Sequence, residues 1–210
     1  MPEASPLGLL GGTFDPVHHG HLRLAEEARE ALDLAEVRWL PAGRPPHREA
    51  PRVSAAHRLE MVRRAVADNP AFTVDDAETR VEAPSYSVTT LERLRAGMGG
   101  RPLVLLMGAD AFLGLATWHR WRELFSLAHI GVAARPGFEL SPEALPAELA
   151  AACADRLGAD PCALRAAPAG RPRRPVRHDP AGDFRLAPAG AAGSGPFSAL
   201  FASRSGAGVY

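Results

Sequence analysis

An α/β fold, a doubly wound parallel sheet of about five strands with flanking helices, is predicted by three features of the sequence. Strand-like and helix-like segments alternate over the first two thirds of the chain. A double glycine closes the first strand just before the first amphipathic helix. The 210 residues are 46% hydrophobic, enough to bury one sizeable core. In order, Leu7 to Leu10 is a short buried strand closed by Gly11 and Gly12. From Gly20 to Leu34, Leu24, Ala25, Ala28, Ala31 and Leu32 recur at helical spacing while Arg23, Glu26, Glu27 and Glu30 cover the other face. Glu36 to Leu40 is a second strand, followed by a Pro-, Gly- and Arg-rich loop from Pro41 to Arg52. Ser54 caps a helix running to about Asp68, and Phe72 to Asp75 is a third strand. Ser87 is placed to cap a helix through Val88, Leu91 and Leu94 that stops at Gly97 and Gly99. Leu103 to Met107 is the most apolar strand, and Ile130 to Ala134 is the fifth. An amphipathic helix from Glu143 to Leu157 follows.

Composition narrows the function classes. Lys+Arg and Asp+Glu balance at 24 each, so no basic excess points to nucleic acid and no acidic excess to disorder. All the basic residues are Arg, and Ala, Gly, Pro and Arg abound, which points to a GC-rich coding sequence. Cys153 and Cys162 lack the CxxC spacing of zinc or redox sites, and no apolar run approaches a membrane span. The N-terminus lacks a basic start followed by a long apolar stretch. The expectation is a soluble, reduced, cytoplasmic protein with neither nucleic acid nor membrane as partner.

The chemistry lies between the first strand and the first helix, in Gly11-Gly12-Thr13-Phe14-Asp15-Pro16-Val17-His18-His19-Gly20-His21. In an open parallel sheet this turn is where phosphates meet the N–H groups of a helix N-terminus. Gly11 and Gly12 lack the Cβ atoms that would hold a phosphate off the backbone, and Gly20 leaves room beside it. His18 and His21, three apart at the helix entry, can present both imidazoles to one side. The segment is neither GxGxxG nor GxxxxGK[ST], so the histidines stand in place of the phosphate-binding lysine. A surface metal site or plain exposed histidines are the alternatives for an isolated HxGH, but the strand, double glycine and Thr-Phe-Asp-Pro turn in register favour a nucleotide site.

This segment resembles the HxGH nucleotidyltransferases, and the chain most resembles the bacterial nicotinate mononucleotide adenylyltransferases. The resemblance extends through Pro41-Ala42-Gly43-Arg44-Pro45-Pro46-His47-Arg48, His57-Arg58-Leu59-Glu60-Met61, Pro84-Ser85-Tyr86-Ser87-Val88, Met107-Gly108-Ala109-Asp110 and Thr117-Trp118-His119-Arg120-Trp121 to Arg135-Pro136-Gly137. It implies a Rossmann-like domain over 1–165 and a reaction in which nicotinate mononucleotide attacks the α-phosphorus of ATP, with Mg²⁺, to give deamido-NAD and pyrophosphate. It further implies that His18 and His21 are the catalytic phosphate donors, favoured as cations there, and that Gly12, Thr13, Phe14 and Asp110 join them around ATP. Asp110 is set either to accept from ribose hydroxyls or to cap the helix that follows. On the acceptor side, Trp118 is expected to stack on the pyridine, with Ser85, Tyr86 and Ser87 shaping the pocket and Arg48 meeting the mononucleotide phosphate. A core role for Trp118 and a solvated surface role for Arg48 are the alternatives. A fixed metal site is not implied, since His18, His19 and His21 have no Cys or carboxylate at ligand spacing. Related enzymes with nicotinamide mononucleotide or phosphopantetheine as acceptor are the neighbouring readings.

The resemblance fails at the C-terminus. The family carries a second phosphate-binding Ile-Ser-x-Thr-x-Ile-Arg element there, whereas Phe197-Ser198-Ala199-Leu200-Phe201-Ala202-Ser203-Arg204 has Leu200 in place of Thr and Arg204 one position late. Residues 166–210 are rich in Ala, Pro, Arg and Gly without amphipathic period, which reads as an atypical, disordered segment or as a departure from the family reading frame after Gly170. Either Arg204 with Ser198 replaces the missing clamp, or the chain binds nucleotide without turnover.

Overall fold

A computed structural model describes residues 5–46, 50–133, 144–154, 157–158 and 200–202. The strands are β1 (Leu7–Gly12), β2 (Glu36–Pro41), β3 (Phe72–Val74), β4 (Leu103–Gly108), β5 (His129–Ala133), β6 (Leu157–Gly158) and β7 (Leu200–Ala202). The α-helices are α1 (His19–Ala31), α2 (Ala55–Val66), α3 (Ser87–Met98), α4 (Ala109–Leu113), α5 (Trp121–Leu127) and α6 (Ala147–Cys153). They make one sheet of order β3-β2-β1-β4-β5-β7-β6. Its first five strands are mutually parallel, and β7 pairs antiparallel with both β5 and β6.

The two-residue period of the strands sorts their side chains onto two faces. Leu7, Leu9, Leu103, Leu105, Met107, Ile130 and Val132 pack with α3, α4, α5 and α6 on one side. Leu10, Val37, Val104 and Leu106 pack with Ala25 and Ala28 of α1, with Leu32 just after it, and with Val62 and Val66 of α2 on the other. Both faces are covered, which is why β4 reads as an unbroken apolar run rather than an alternating one. The expected doubly wound sheet is thus present.

Several boundaries differ from expectation, each for a local reason. α1 stops at Ala31 because Asp33 takes a left-handed φ of 48°, turning the chain toward β2. Ser54 does cap α2, its hydroxyl accepting from the His57 N–H at 3.3 Å, but α2 ends at Val66. Ser87 does not cap α3: Tyr86 holds the N-cap position and Ser87 is the first helical residue. Likewise Gly108, not Asp110, is the N-cap of α4. The helix expected to Leu157 ends at Cys153, and Leu157–Gly158 enters the sheet instead. β7 lies within the stretch nearest to the family's second phosphate element, so Leu200–Ala202 extend as a strand rather than start a helix. Apart from 200–202, the segment 166–210 lies outside the described residues, as do Glu143 and Ala134.

Candidate active site

β1 is flanked by β2 on one side and β4 on the other, so the chain reverses its direction of winding there. Loops leaving the carboxyl ends of β1 and β4 part at this switch point and open a crevice. The HxGH segment leaves β1 and Asp110 lies in the first turn of α4 after β4, so the topology brings them to the same opening.

The β1–α1 loop is held from several sides. The Gly12 carbonyl accepts from the Ala42 N–H at 2.9 Å and the Thr13 carbonyl accepts from Arg58 Nη1 at 2.6 Å. Trans peptide geometry therefore turns the N–H groups of Thr13 and Phe14 away from those partners. Phe14 has a φ of 51°, a strained region for a bulky residue, and is buried with its ring 5.1 Å edge-on to His21 and 5.3 Å from Trp39. The Asp15 carboxylate accepts from the Arg52 N–H at 2.6 Å, drawing in the far end of the loop after β2.

His18 is the N-cap of α1, and its backbone N–H donates to His21 Nδ1 at 3.3 Å. The two imidazoles lie 3.8 Å apart between centroids, tilted by 31°. With Nδ1 engaged as an acceptor, the ring proton of His21 resides on Nε2, which becomes the donor. Gly20 leaves room for this packing, since a Cβ there would meet the His18 ring at 3.1 Å. Among the described residues, no three His, Cys, Asp or Glu side chains gather as a metal site. No helix among them is long and apolar enough to cross a membrane.

A second group of loops forms the other wall. Ser85 Oγ accepts from the Gly43 N–H at 2.9 Å and the Arg44 N–H at 3.1 Å, and the Ser85 N–H donates to the Arg44 carbonyl at 2.8 Å. Ser85 is thereby committed to joining loops. The neighbouring Glu78 carboxylate accepts from Thr90 Oγ1 at 2.6 Å. The Tyr86 ring stacks on His119 at 4.4 Å, which joins the start of α3 to the turn before α5. Trp118 is half-buried against the α3–α5 side of the core, and Ser87 is half-buried in the first turn of α3. Arg48 and Arg204 lie outside the described residues. Neither Arg58, Glu78 nor His119 was expected at the site. The available signal for Arg58 was its helical register with Val62 and Val66, which puts an arginine on the buried stripe of α2.

Burial raises the Glu78 carboxyl above its ordinary range, against the hydrogen bonds from Thr90 and Ser85 and the nearby Arg93, while Asp75 adds to the rise. A carboxyl whose pKa is higher folded than unfolded stabilises most when protonated, below the unfolded value, and that contribution is lost as pH rises through the folded value. Glu78→Gln is therefore expected to gain melting temperature relative to the parent at neutral and alkaline pH, the difference narrowing toward the acid range of ordinary carboxyls. Thermal unfolding across pH checks this, and a difference independent of pH would contradict it.

Comparison with known proteins shows the family. A family model described as cytidylyltransferase-like matches residues 9–167. A protein of Dechloromonas aromatica (strain RCB) named "Probable nicotinate-nucleotide adenylyltransferase" is 60% identical over 168 residues, covering 80% of this chain and 77% of that one. One of the same name from Halorhodospira halophila (strain DSM 244 / SL1) is 55% identical over 164 residues, covering 78% and 74%. The fold also matches the solved Plasmodium falciparum nicotinic acid mononucleotide adenylyltransferase complexed with NaAD, with a TM-score of 0.58 at 14% identity over 68% of this chain and 72% of that one. With more than half its length matched and such relatives covered over two thirds of theirs, the chain belongs to the cytidylyltransferase-like family, among its nicotinate-nucleotide adenylyltransferases.

Proposed function

We propose that this enzyme transfers the adenylyl group of ATP to nicotinate mononucleotide, giving deamido-NAD and pyrophosphate, and that it does so in the crevice between β1 and β4. The observation that carries the reading is the HxGH entry to α1, where His21 is oriented by the His18 backbone N–H and the Phe14 ring. An oxygen of the mononucleotide phosphate attacks the α-phosphorus in line, the bond from that phosphorus to the bridging oxygen breaks, and pyrophosphate leaves. Such transfer needs positioning and charge neutralisation rather than a protein nucleophile. His21 Nε2–H and the His18 ring donate to the phosphates as charge moves to the leaving group, a role open to a neutral imidazole. The N–H groups of Thr13 and Phe14, beside Gly12, line the same loop, and Asp110 accepts from the ribose hydroxyls. Arg204 is the proposed remaining phosphate contact.

Mg²⁺ arriving with ATP would supply charge neutralisation at the phosphates and would not require a dedicated all-protein cage. On the acceptor side we assign Trp118 to the pyridine ring, Tyr86 and Ser87 to the pocket wall, Ser85 to holding that wall, and Arg48 to the mononucleotide phosphate. We assign the activity to the cytoplasm, the reading consistent with these soluble substrates. Trp118→Ala is expected to raise the KM for the mononucleotide about tenfold, by loss of a stacked ring, with Trp118→Phe recovering most of it. Initial rates against mononucleotide concentration check this, and an unchanged KM would remove Trp118 from the pocket.

The test of the whole reading is pyrophosphate release from ATP and Mg²⁺ with nicotinate mononucleotide, nicotinamide mononucleotide or phosphopantetheine. Release that prefers the acid supports it, and preference for another acceptor redirects it. Nucleotide binding without release from any acceptor would favour a chain that has lost turnover, the reading to which the strand at Leu200–Ala202 lends weight.

A further inference from the structure

Arg58 of α2 is 1% exposed, and each hydrogen bond its guanidinium makes ends on a backbone carbonyl, the four carbonyls coming from three separate segments of the chain. Nε donates to Val53 O at 3.1 Å, Nη1 to Thr13 O at 2.6 Å and Ala42 O at 2.7 Å, and Nη2 to Gly43 O at 3.0 Å. Thr13 belongs to the loop that carries His18 and His21, whereas Ala42 and Gly43 begin the loop after β2. A buried cation is unfavourable unless its donors are met, and Leu or Met would fill the same stripe of α2 without that penalty. Burial draws the guanidinium below its ordinary pKa and the nearby Asp15 carboxylate opposes this. The arrangement is explained by what the planar fork accomplishes, since one rigid group sets the separation of the two loops.

We propose that Arg58 is a positioning residue that locks the nucleotide-side loop at Thr13 and the acceptor-side loop at Ala42–Gly43 into one register. The proposal rests on the adenylyltransferase reading of the site. Ser85 extends the same lock, because it pins the N–H groups of Gly43 and Arg44 while Arg58 pins the carbonyls of Ala42 and Gly43. Through Ser85 the register reaches Tyr86. In-line attack is sensitive to separation, and a misplacement of about 1 Å in such a site can lower turnover about 10²-fold.

The test compares Arg58→Lys and Arg58→Met with Val66→Ala, a buried substitution farther along the same helix that destabilises while leaving the guanidinium and its four carbonyl partners in place. Three readouts are taken on the full chain: melting temperature, hydrogen exchange of peptides spanning 11–16 and 41–46 against 103–108, and kcat with KM. Both Arg58 variants are expected to raise exchange about tenfold or more in the two loops while β4 stays protected. They are expected to lower kcat by about 10- to 100-fold with KM for ATP changed less than threefold. Val66→Ala should lower the melting temperature and leave loop exchange and kcat near the parent values. If the Arg58 variants match Val66→Ala in loop exchange, the proposal is overturned, since Arg58 would then be a core residue only. Should Arg58→Met fail to fold, Arg58→Lys, which keeps the charge but cannot bridge both loops, decides. If the parent protein itself releases no pyrophosphate, the proposed function fails while the exchange comparison still tests the lock.

Discussion

His21→Ala is expected to lower turnover by about 10²-fold or more, the size of losing one preorganised donor to developing charge. Its ring is positioned from three sides: the His18 N–H on Nδ1, the His18 ring at 3.8 Å and the edge of Phe14 at 5.1 Å. The donor is therefore aimed before ATP arrives, and its loss should fall on kcat more than on KM. His18→Ala makes a useful contrast. It removes a second donor ring but keeps the backbone N–H that orients His21, so a smaller loss, about tenfold, is expected. Pyrophosphate release under saturating ATP and nicotinate mononucleotide measures both. A loss below threefold for His21→Ala would sink its role in the chemistry and leave HxGH as a structural entry to α1.

The sheet was legible because its strands are short apolar runs set between amphipathic helices, and the side chains of Leu103 to Met107 do divide between two helical layers. The β1–α1 loop stood out as a candidate site for a different reason: a strand, a double glycine, the Thr-Phe-Asp-Pro turn and paired histidines follow one another in register. Lone hydroxyls were less readable. Ser87 looks like a cap, yet Tyr86 takes that position, and it is the Ser85 hydroxyl that accepts from two N–H groups brought from elsewhere in the chain. Such partners are set by tertiary approach rather than by local sequence. Arg58 was hidden because an arginine on a helix is usually solvated, and only its register with Val62 and Val66 separates it from its exposed neighbours Arg63 and Arg64. The pairing of β7 with β5 was hidden because Leu200–Ala202 lie in a segment with no period to mark a strand, and an antiparallel return depends on the distant edge it meets.

Gly43→Ala should show how tightly the two walls are joined. A Cβ at this position would lie 2.1 Å from the Glu78 carbonyl oxygen and 3.0 Å from its carbon, and a backbone group cannot swing aside as a side-chain tip can. The loop after β2 must then back away from the Glu78 turn by about 1 Å to reach ordinary contact. Gly43 cannot move alone, because its carbonyl accepts from Arg58 Nη2 at 3.0 Å and its N–H donates to Ser85 Oγ at 2.9 Å. Displacement therefore lengthens the bonds on both sides, leaving part of the buried guanidinium unmet. The expected outcome is a destabilisation of about 2–3 kcal/mol in thermal or denaturant unfolding. Together with it, kcat/KM should fall about 10²-fold from misplacement of the loops. Adding Glu78→Ala should not restore either quantity, because the clash is with the main chain. Restoration by that second change would mean that the Glu78 side chain sets the loop position, and a Gly43→Ala protein with parental stability and activity would show that the close approach of these two loops is not needed by the site.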